Sequence, residues 1–144
     1  MFLSYITELD WAWLAGFIDG EGTIGLNKRG RDLREFRPTI KIFNTNKEVL
    51  DYIQSLLSTG SVCPMDKKSV ESKTCKTVYM WTANIKESII PILEHILPYL
   101  KVKNKQAELL LIYCKEHIKG STSTAIEIEI YEDMKELNMR GIRR

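Results

Sequence analysis

The sequence predicts an α+β fold carrying a four-stranded antiparallel sheet. Several stretches place apolar residues on a 3.6-residue period, and two pairs of shorter ones alternate with a period of two. Each pair of short stretches is joined by a polar, basic loop, the connection that antiparallel neighbours use. The order helix, two strands, helix, two strands, then helices suits a sheet with helices packed on it.

Residues 8–20 read as the first helix, with Leu9, Trp13, Gly16 and Ile18 as buried candidates and Gly20 and Gly22 as terminators. Strands are expected at 23–28 and 34–44, turning through Arg29-Gly30-Arg31-Asp32. In the second of these, Phe36, Ile40 and Ile42 share one parity, while Arg37, Thr39 and Lys41 share the other. One face is therefore apolar and the other polar and basic, and Pro38 suggests an edge or a distortion. Asn46 to Leu57 is a helix carrying Val49, Leu50, Ile53, Leu56 and Leu57 on one side, and Gly60 ends it. Two strands follow near 61–67 and 74–83, around a basic loop from Lys67 to Lys73. A helical stretch runs from 85 to 99, its start placed near Ser88 because Pro91 fits a first turn. Helices at 103–118 and 125–139 flank a short linker at 120–124. The whole reads as one domain over 1–144, with a core at about 8–118 and a helical extension at 119–144. The two halves look like one αββ unit used twice, without a sequence repeat.

The chain has 144 residues, 44% of them apolar and 28% charged, enough for one domain with a real core. No apolar run approaches the roughly 18 residues of a membrane span, so no membrane association is expected. Met1-Phe2-Leu3-Ser4-Tyr5 has neither a basic n-region nor a cleavage site. Cys63, Cys75 and Cys114 are odd in number and lack C-x-x-C spacing, which suits free thiols in a reducing, intracellular compartment. With only His95 and His117 beside them, a zinc site or a His-based hydrolase is disfavoured.

The net charge of +2 is uninformative, but its distribution is not. Residues 27–41 hold six cations against two acids and residues 66–76 four against two, whereas 124–137 hold five acids against one cation. One basic side and one acidic side suit a polyanion on the basic side, although an ordinary mixed surface would read the same from charge alone.

Leu14-Ala15-Gly16-Phe17-Ile18-Asp19-Gly20-Glu21-Gly22 is the most informative stretch. Ala12, Gly16 and Gly20 recur at i, i+4, i+8 and form a stripe of small residues that lets another backbone approach. Each glycine costs a helix interior roughly 1 kcal/mol, so a packing reason is expected. The stripe ends at a carboxylate flanked by glycines. By itself this is also what a glycine-rich helix end with two solvent-facing acids would look like.

The full string resembles the motif of the LAGLIDADG homing endonucleases, with Leu14, Ala15, Gly16, Ile18, Asp19 and Gly22 in place. Leu97-Pro98-Tyr99-Leu100-Lys101-Val102-Lys103-Asn104-Lys105-Gln106 is similar to the family's LPxLxxKxxQ segment, and the order of elements agrees over about 8–118. The resemblance implies the αββαββα LAGLIDADG fold, with DNA gripped by the sheet. It implies that Glu21, the acid in the motif's eighth place, ligates Mg²⁺ (or Mn²⁺ in its stead), with the Gly20 carbonyl as a second ligand and no small-molecule cofactor. Asp19 would hydrogen-bond near the helix end. Asn46 matches the family's solvent-organising residue, although a plain N-cap explains it equally. Lys103 matches the basic residue near the scissile phosphate.

A single-motif chain of this family pairs with itself, so Ala12, Gly16 and Gly20 are the expected homodimer contacts. The pair would cut double-stranded DNA at a long pseudo-palindromic site, across the minor groove, leaving 3′ overhangs. The expected DNA contacts are Asn27, Lys28, Arg29, Arg31, Arg34, Arg37, Thr39 and Lys41, then Lys67, Lys68, Lys73 and Lys76. Trp11, Trp13, Tyr79 and Trp81 are assigned to the core, and the acidic last helix is expected to face away from DNA. Genes of the family it resembles reside in introns of organelles, archaea, bacteria or phages, and the starting Met1 and short length suggest an intron-encoded, free-standing protein. An RNA-splicing maturase or a non-catalytic DNA-binding regulator on the same fold are the competing functions.

Overall fold

A computed structural model describes residues 5–28, 36–65, 76–116 and 125–142. The chain runs α1 (Glu8–Glu21), β1 (Gly22–Lys28), β2 (Phe36–Asn44), α2 (Lys47–Leu57), β3 (Ser61–Pro64), β4 (Tyr79–Ala83), α3 (Lys86–Ile96), a 3-10 turn (Leu97–Tyr99), α4 (Asn104–Glu116) and α5 (Ala125–Ile142). The strands form one antiparallel sheet in the order β1-β2-β4-β3. The predicted α+β class and four-stranded antiparallel sheet are what the structure contains.

α1 opens on a capping box, in which Thr7 accepts from the Asp10 N–H and the Asp10 side chain accepts from the Thr7 N–H. It passes into β1 without a loop. Gly22 permits this by closeness rather than by an unusual torsion, since its φ of −105° is open to any residue. A Cβ there would stand 3.0 Å from the Ile18 backbone and 3.1 Å from the Lys41 carbonyl.

The register places Gly22, Ile24, Leu26, Pro38, Ile40, Ile42, Trp81 and Ala83 on one face. The helices pack there, and Ile24, Ile40, Ile42 and Trp81 are fully buried with Leu14, Ile18, Leu50, Ile53, Ile89 and Ile92. The opposite face presents Thr23, Gly25, Asn27, Arg37, Thr39, Lys41, Met80 and Thr82. Pro38 is explained by the sheet's outline. β2 pairs with β4 only over Ile40–Asn44, so at Pro38 it has a neighbour on one side alone.

Three expectations need correction. Leu9 and Trp13 are 83% and 40% exposed, and Gly16 is exposed too. α1 instead buries Trp11, Leu14, Ala15 and Ile18, which lie on the opposite side of the helix. The helix is apolar on both sides, so periodicity could not tell which side this chain fills. Second, α3 starts at Lys86, so Pro91 is its sixth residue; the Ser88 and Ile89 N–H groups both donate to Ile85 O before the proline is reached. Third, β3 and β4 are shorter than expected: Met65 and residues 76–78 lie outside the strands, and Met65 N–H to Val78 O (2.8 Å) is the last rung among the described residues.

α5 docks on β1 and α4 rather than standing apart. Tyr131 stacks on Phe36 at 4.8 Å between centroids, Ile130 and Met134 are buried, and Asn138 Nδ2 donates to the Ile24 carbonyl at 3.2 Å. Side-chain donation of this kind covers part of the free edge of the outer strand.

Candidate active site and nucleic-acid face

Glu21 is the last residue of α1 and exposed, and its carboxylate makes no hydrogen bond or ion pair among the described residues. Gly20, one position earlier, has a last-turn carbonyl with no partner inside the helix. An exposed carboxylate beside a bare carbonyl is a hard oxygen pair, the donor type that fits Mg²⁺. Among the described residues no three His, Cys, Asp or Glu side chains come together as a metal group.

Lys103 is brought to this helix end from the start of α4. Its Nζ donates to the Asp19 carbonyl at 2.6 Å. Burial pushes its ammonium below the ordinary lysine value, while the Asp19 charge pulls the other way. The Asp19 carboxylate accepts from the backbone N–H groups of Lys101, Val102 and Lys103 at 2.7, 3.2 and 3.0 Å. A bond near the helix end was expected, but not a bridge to a segment 82 residues away, for which no local signal exists.

Asn46 is the N-cap of α2 and accepts from the Val49 N–H at 3.3 Å. It lies just past the end of β2, and because Gly22 pairs with Ile42, that end is also the Glu21 end of the sheet. Lys47 is engaged with Asp51 at 2.9 Å, and that bond raises its pKa.

The small stripe faces outward. A Cβ on Gly16 or Gly20 would meet nothing within 4 Å, and Ala12 is half-buried. Leu9 and Trp13 share this side of α1, and Trp13 meets the exposed ring of Tyr52 edge-on at 5.6 Å.

Of the expected DNA contacts, Asn27, Arg37, Thr39 and Lys41 lie together on the polar face. Thr39 is 4% exposed, its hydroxyl directed to the Gly25 carbonyl at 3.4 Å. Lys28 has the other parity, that of Phe36, and its Nζ lies 5.0 Å from the Tyr131 ring centroid. Lys76 is exposed. Arg29, Arg31, Arg34, Lys67, Lys68 and Lys73 lie outside the described residues. The last helix lies beside this face. Tyr131, Lys135, Asn138 and Met139 border a cleft of about 230 Å³ whose other wall is Thr23, Gly25, Asn27, Thr39 and Lys41. α5 thus flanks the polar face, while its acids Glu129, Glu132 and Asp133 are exposed.

The LAGLIDADG endonuclease profile matches residues 14–117, from the motif through α4. The chain belongs to the LAGLIDADG endonuclease family. It is 31% identical over 115 residues to the DNA endonuclease I-CvuI of Chlorella vulgaris, a match spanning 76% of this chain and 66% of that relative, just under two thirds of its length. Among solved structures, I-CvuI with its target DNA in the presence of Ca aligns at TM-score 0.63 and 23% identity, over 91% of this chain and 96% of that one. The archaeal intron-encoded I-Vdi141I with DNA aligns at 0.57 and 17%, over 92% and 98%. I-AabMI bound to uncleaved DNA aligns at 0.62 and 19%, over 87% of this chain but 43% of the other. These likenesses make the LAGLIDADG fold of this chain plain. No helix among the described residues is long and apolar enough to cross a membrane.

Proposed function

We propose that this chain is a homing endonuclease that works as a homodimer and cuts both strands of a long DNA site with Mg²⁺. The observation that carries this is the end of α1, where an exposed acid and a bare carbonyl meet an outward-facing stripe of small residues. A second copy packed on that stripe would bring two Glu21–Gly20 pairs toward one axis. Relative lengths support the pairing. One copy of this chain superposes on 96% of the I-CvuI chain in its DNA complex but on only 43% of the I-GzeII and I-AabMI chains in theirs, which leaves room in the longer chains for a second such fold. Complexes of I-CvuI with DNA were solved in the presence of Ca and, on the I-CreI target with the DNA uncleaved, of Mg.

A divalent ion held by Glu21 and the Gly20 carbonyl would supply Lewis-acid neutralisation of the phosphate and a more acidic water. The chain's own groups do the remaining work. Lys103 places a fixed cation on the turn carrying Gly20 and Glu21, where charge builds on the phosphate in the transition state. The Asn46 side chain, at the same end of the sheet, orients solvent. The polar face with Arg37, Lys41 and Asn27 lies along the duplex, because a twisted antiparallel ribbon fits the major groove.

The test is Glu21→Gln, assayed for plasmid cleavage with Mg²⁺ and for DNA binding with Ca²⁺. Cleavage should disappear while binding stays near wild type. Binding lost together with cleavage would place Glu21 in folding. A wild-type protein that binds intron RNA and leaves plasmid intact would point to a maturase instead.

A further inference from the structure

The motif's first acid, Asp19, has no place in the proposed chemistry, yet it is among the most engaged side chains in the structure. Its Oδ2 accepts from Lys101 N–H, and its Oδ1 from Val102 and Lys103 N–H. Three successive amides pointing one way form a concavity for an anion, and bonds to a charged acceptor are stronger than neutral ones. In return Lys103 Nζ donates to the Asp19 carbonyl. Residue 19 therefore grips residue 103 at both ends, by its backbone and by the tip of its side chain. The Lys103 carbonyl in turn accepts from Ala107 N–H in the first turn of α4.

We propose that Asp19 is a positioning residue that holds Lys103 beside Gly20 and Glu21. A lysine ammonium is a point charge on a flexible four-carbon stem. Its effect on a phosphate depends on where the stem is held. Asp19 stands one and two residues before the pair assigned to the metal, so the tether fixes the cation to the turn that carries them. Capping α4 alone would not require the bond from Nζ. This inference rests on the role given to Lys103 above.

The experiment compares wild type, Asp19→Asn, Lys103→Met and the double variant on a plasmid site recovered from a randomised library. Asparagine keeps the size but offers one acceptor and turns an NH₂ toward the N–H donors. Single-turnover cleavage by Asp19→Asn should fall about a hundredfold, the scale of a small misplacement of a reacting group. Its DNA affinity in Ca²⁺ should stay within about threefold of wild type, because the loss is confined to the transition state. The double variant should cut no more slowly than Lys103→Met, since the tether then has nothing to hold. In the metal-free protein, the amides of residues 101–103 should exchange at least about tenfold faster in Asp19→Asn. Should that variant fail to fold, Asp19→Glu, which displaces the carboxylate by one methylene, carries the same comparison. Losses that multiply in the double variant, or wild-type exchange at 101–103, would overturn the tether. Normal cleavage by Lys103→Met would instead remove the catalytic role of Lys103, and the tether's purpose with it.

Discussion

Gly60 lies against the indole of Trp81 so closely that a Cβ on it would stand 2.5 Å from Nε1. The same Nε1 donates to the Thr59 carbonyl at 3.1 Å, and Gln54 holds the Gly60 carbonyl at 2.9 Å. Trp81 is fully buried at the centre of the sheet, so it has nowhere to retreat. Gly60 also has φ +86°, in the left-handed region. Gly60→Ala combines backbone strain with overpacking and should cost about 3 kcal/mol. Thermal denaturation should record a fall of roughly 10 °C in Tm for a domain of this size. A variant melting like the parent would show that the α2–β3 turn is not pinned by the indole.

Gly16 is the opposite kind of glycine, with open space where its side chain would be. Gly16→Leu should leave the single subunit folded and remove the pairing surface, so light scattering should find monomers where the parent is dimeric. The substitution also replaces a poor helix former by a good one. A dimeric, active Gly16→Leu protein would refute the packing role of the small stripe.

Asn46 serves visibly as a cap and, in the proposed function, as an organiser of solvent. Asn46→Ser separates the two. Serine caps nearly as well, so stability should change by less than about 0.5 kcal/mol, against about 1 kcal/mol for Asn46→Ala. If cleavage nevertheless drops in the serine variant, the side chain has a role beyond capping. Equal cleavage by wild type and Asn46→Ser would leave the cap as its sole function.

Cys114 and Cys63 should react very differently with alkylating agents. Cys63 is exposed, whereas Cys114 is buried and its thiol is pushed up to about 12 by loss of solvent. The thiolate is the nucleophile. At pH 8, peptide mapping after iodoacetamide should find Cys63 modified and Cys114 untouched until the protein unfolds. The folded pKa lies above the unfolded one, so this group's contribution to stability is complete below pH 9.0 and is lost as pH climbs toward 12. Rapid native labelling of Cys114 at pH 8 would contradict this burial.

Much was legible in the sequence because the deciding signals are local. The alternation in β2 separated Ile40 and Ile42 from Arg37, Thr39 and Lys41, and the nine-residue motif located Glu21 and Gly20. The same local logic could not decide Trp13. α1 is apolar on two sides, and only the placement of α3 and the sheet shows that Trp11 goes in while Trp13 stays out. The composition of α5 likewise did not reveal that Tyr131, Met134 and Asn138 dock it along β1, beside the polar face.

By itself the sequence determined which residues carry charge, which strand faces are apolar, and where a carboxylate follows a stripe of small residues. Periods of two and of 3.6, and the steric freedom of glycine, act within a few positions along the chain. Only the tertiary structure decided that Asp19 meets Lys103, that Gly60 meets Trp81, and which side of α1 is left for a partner. Those facts depend on how elements far apart in sequence pack in space, and no local pattern encodes that packing.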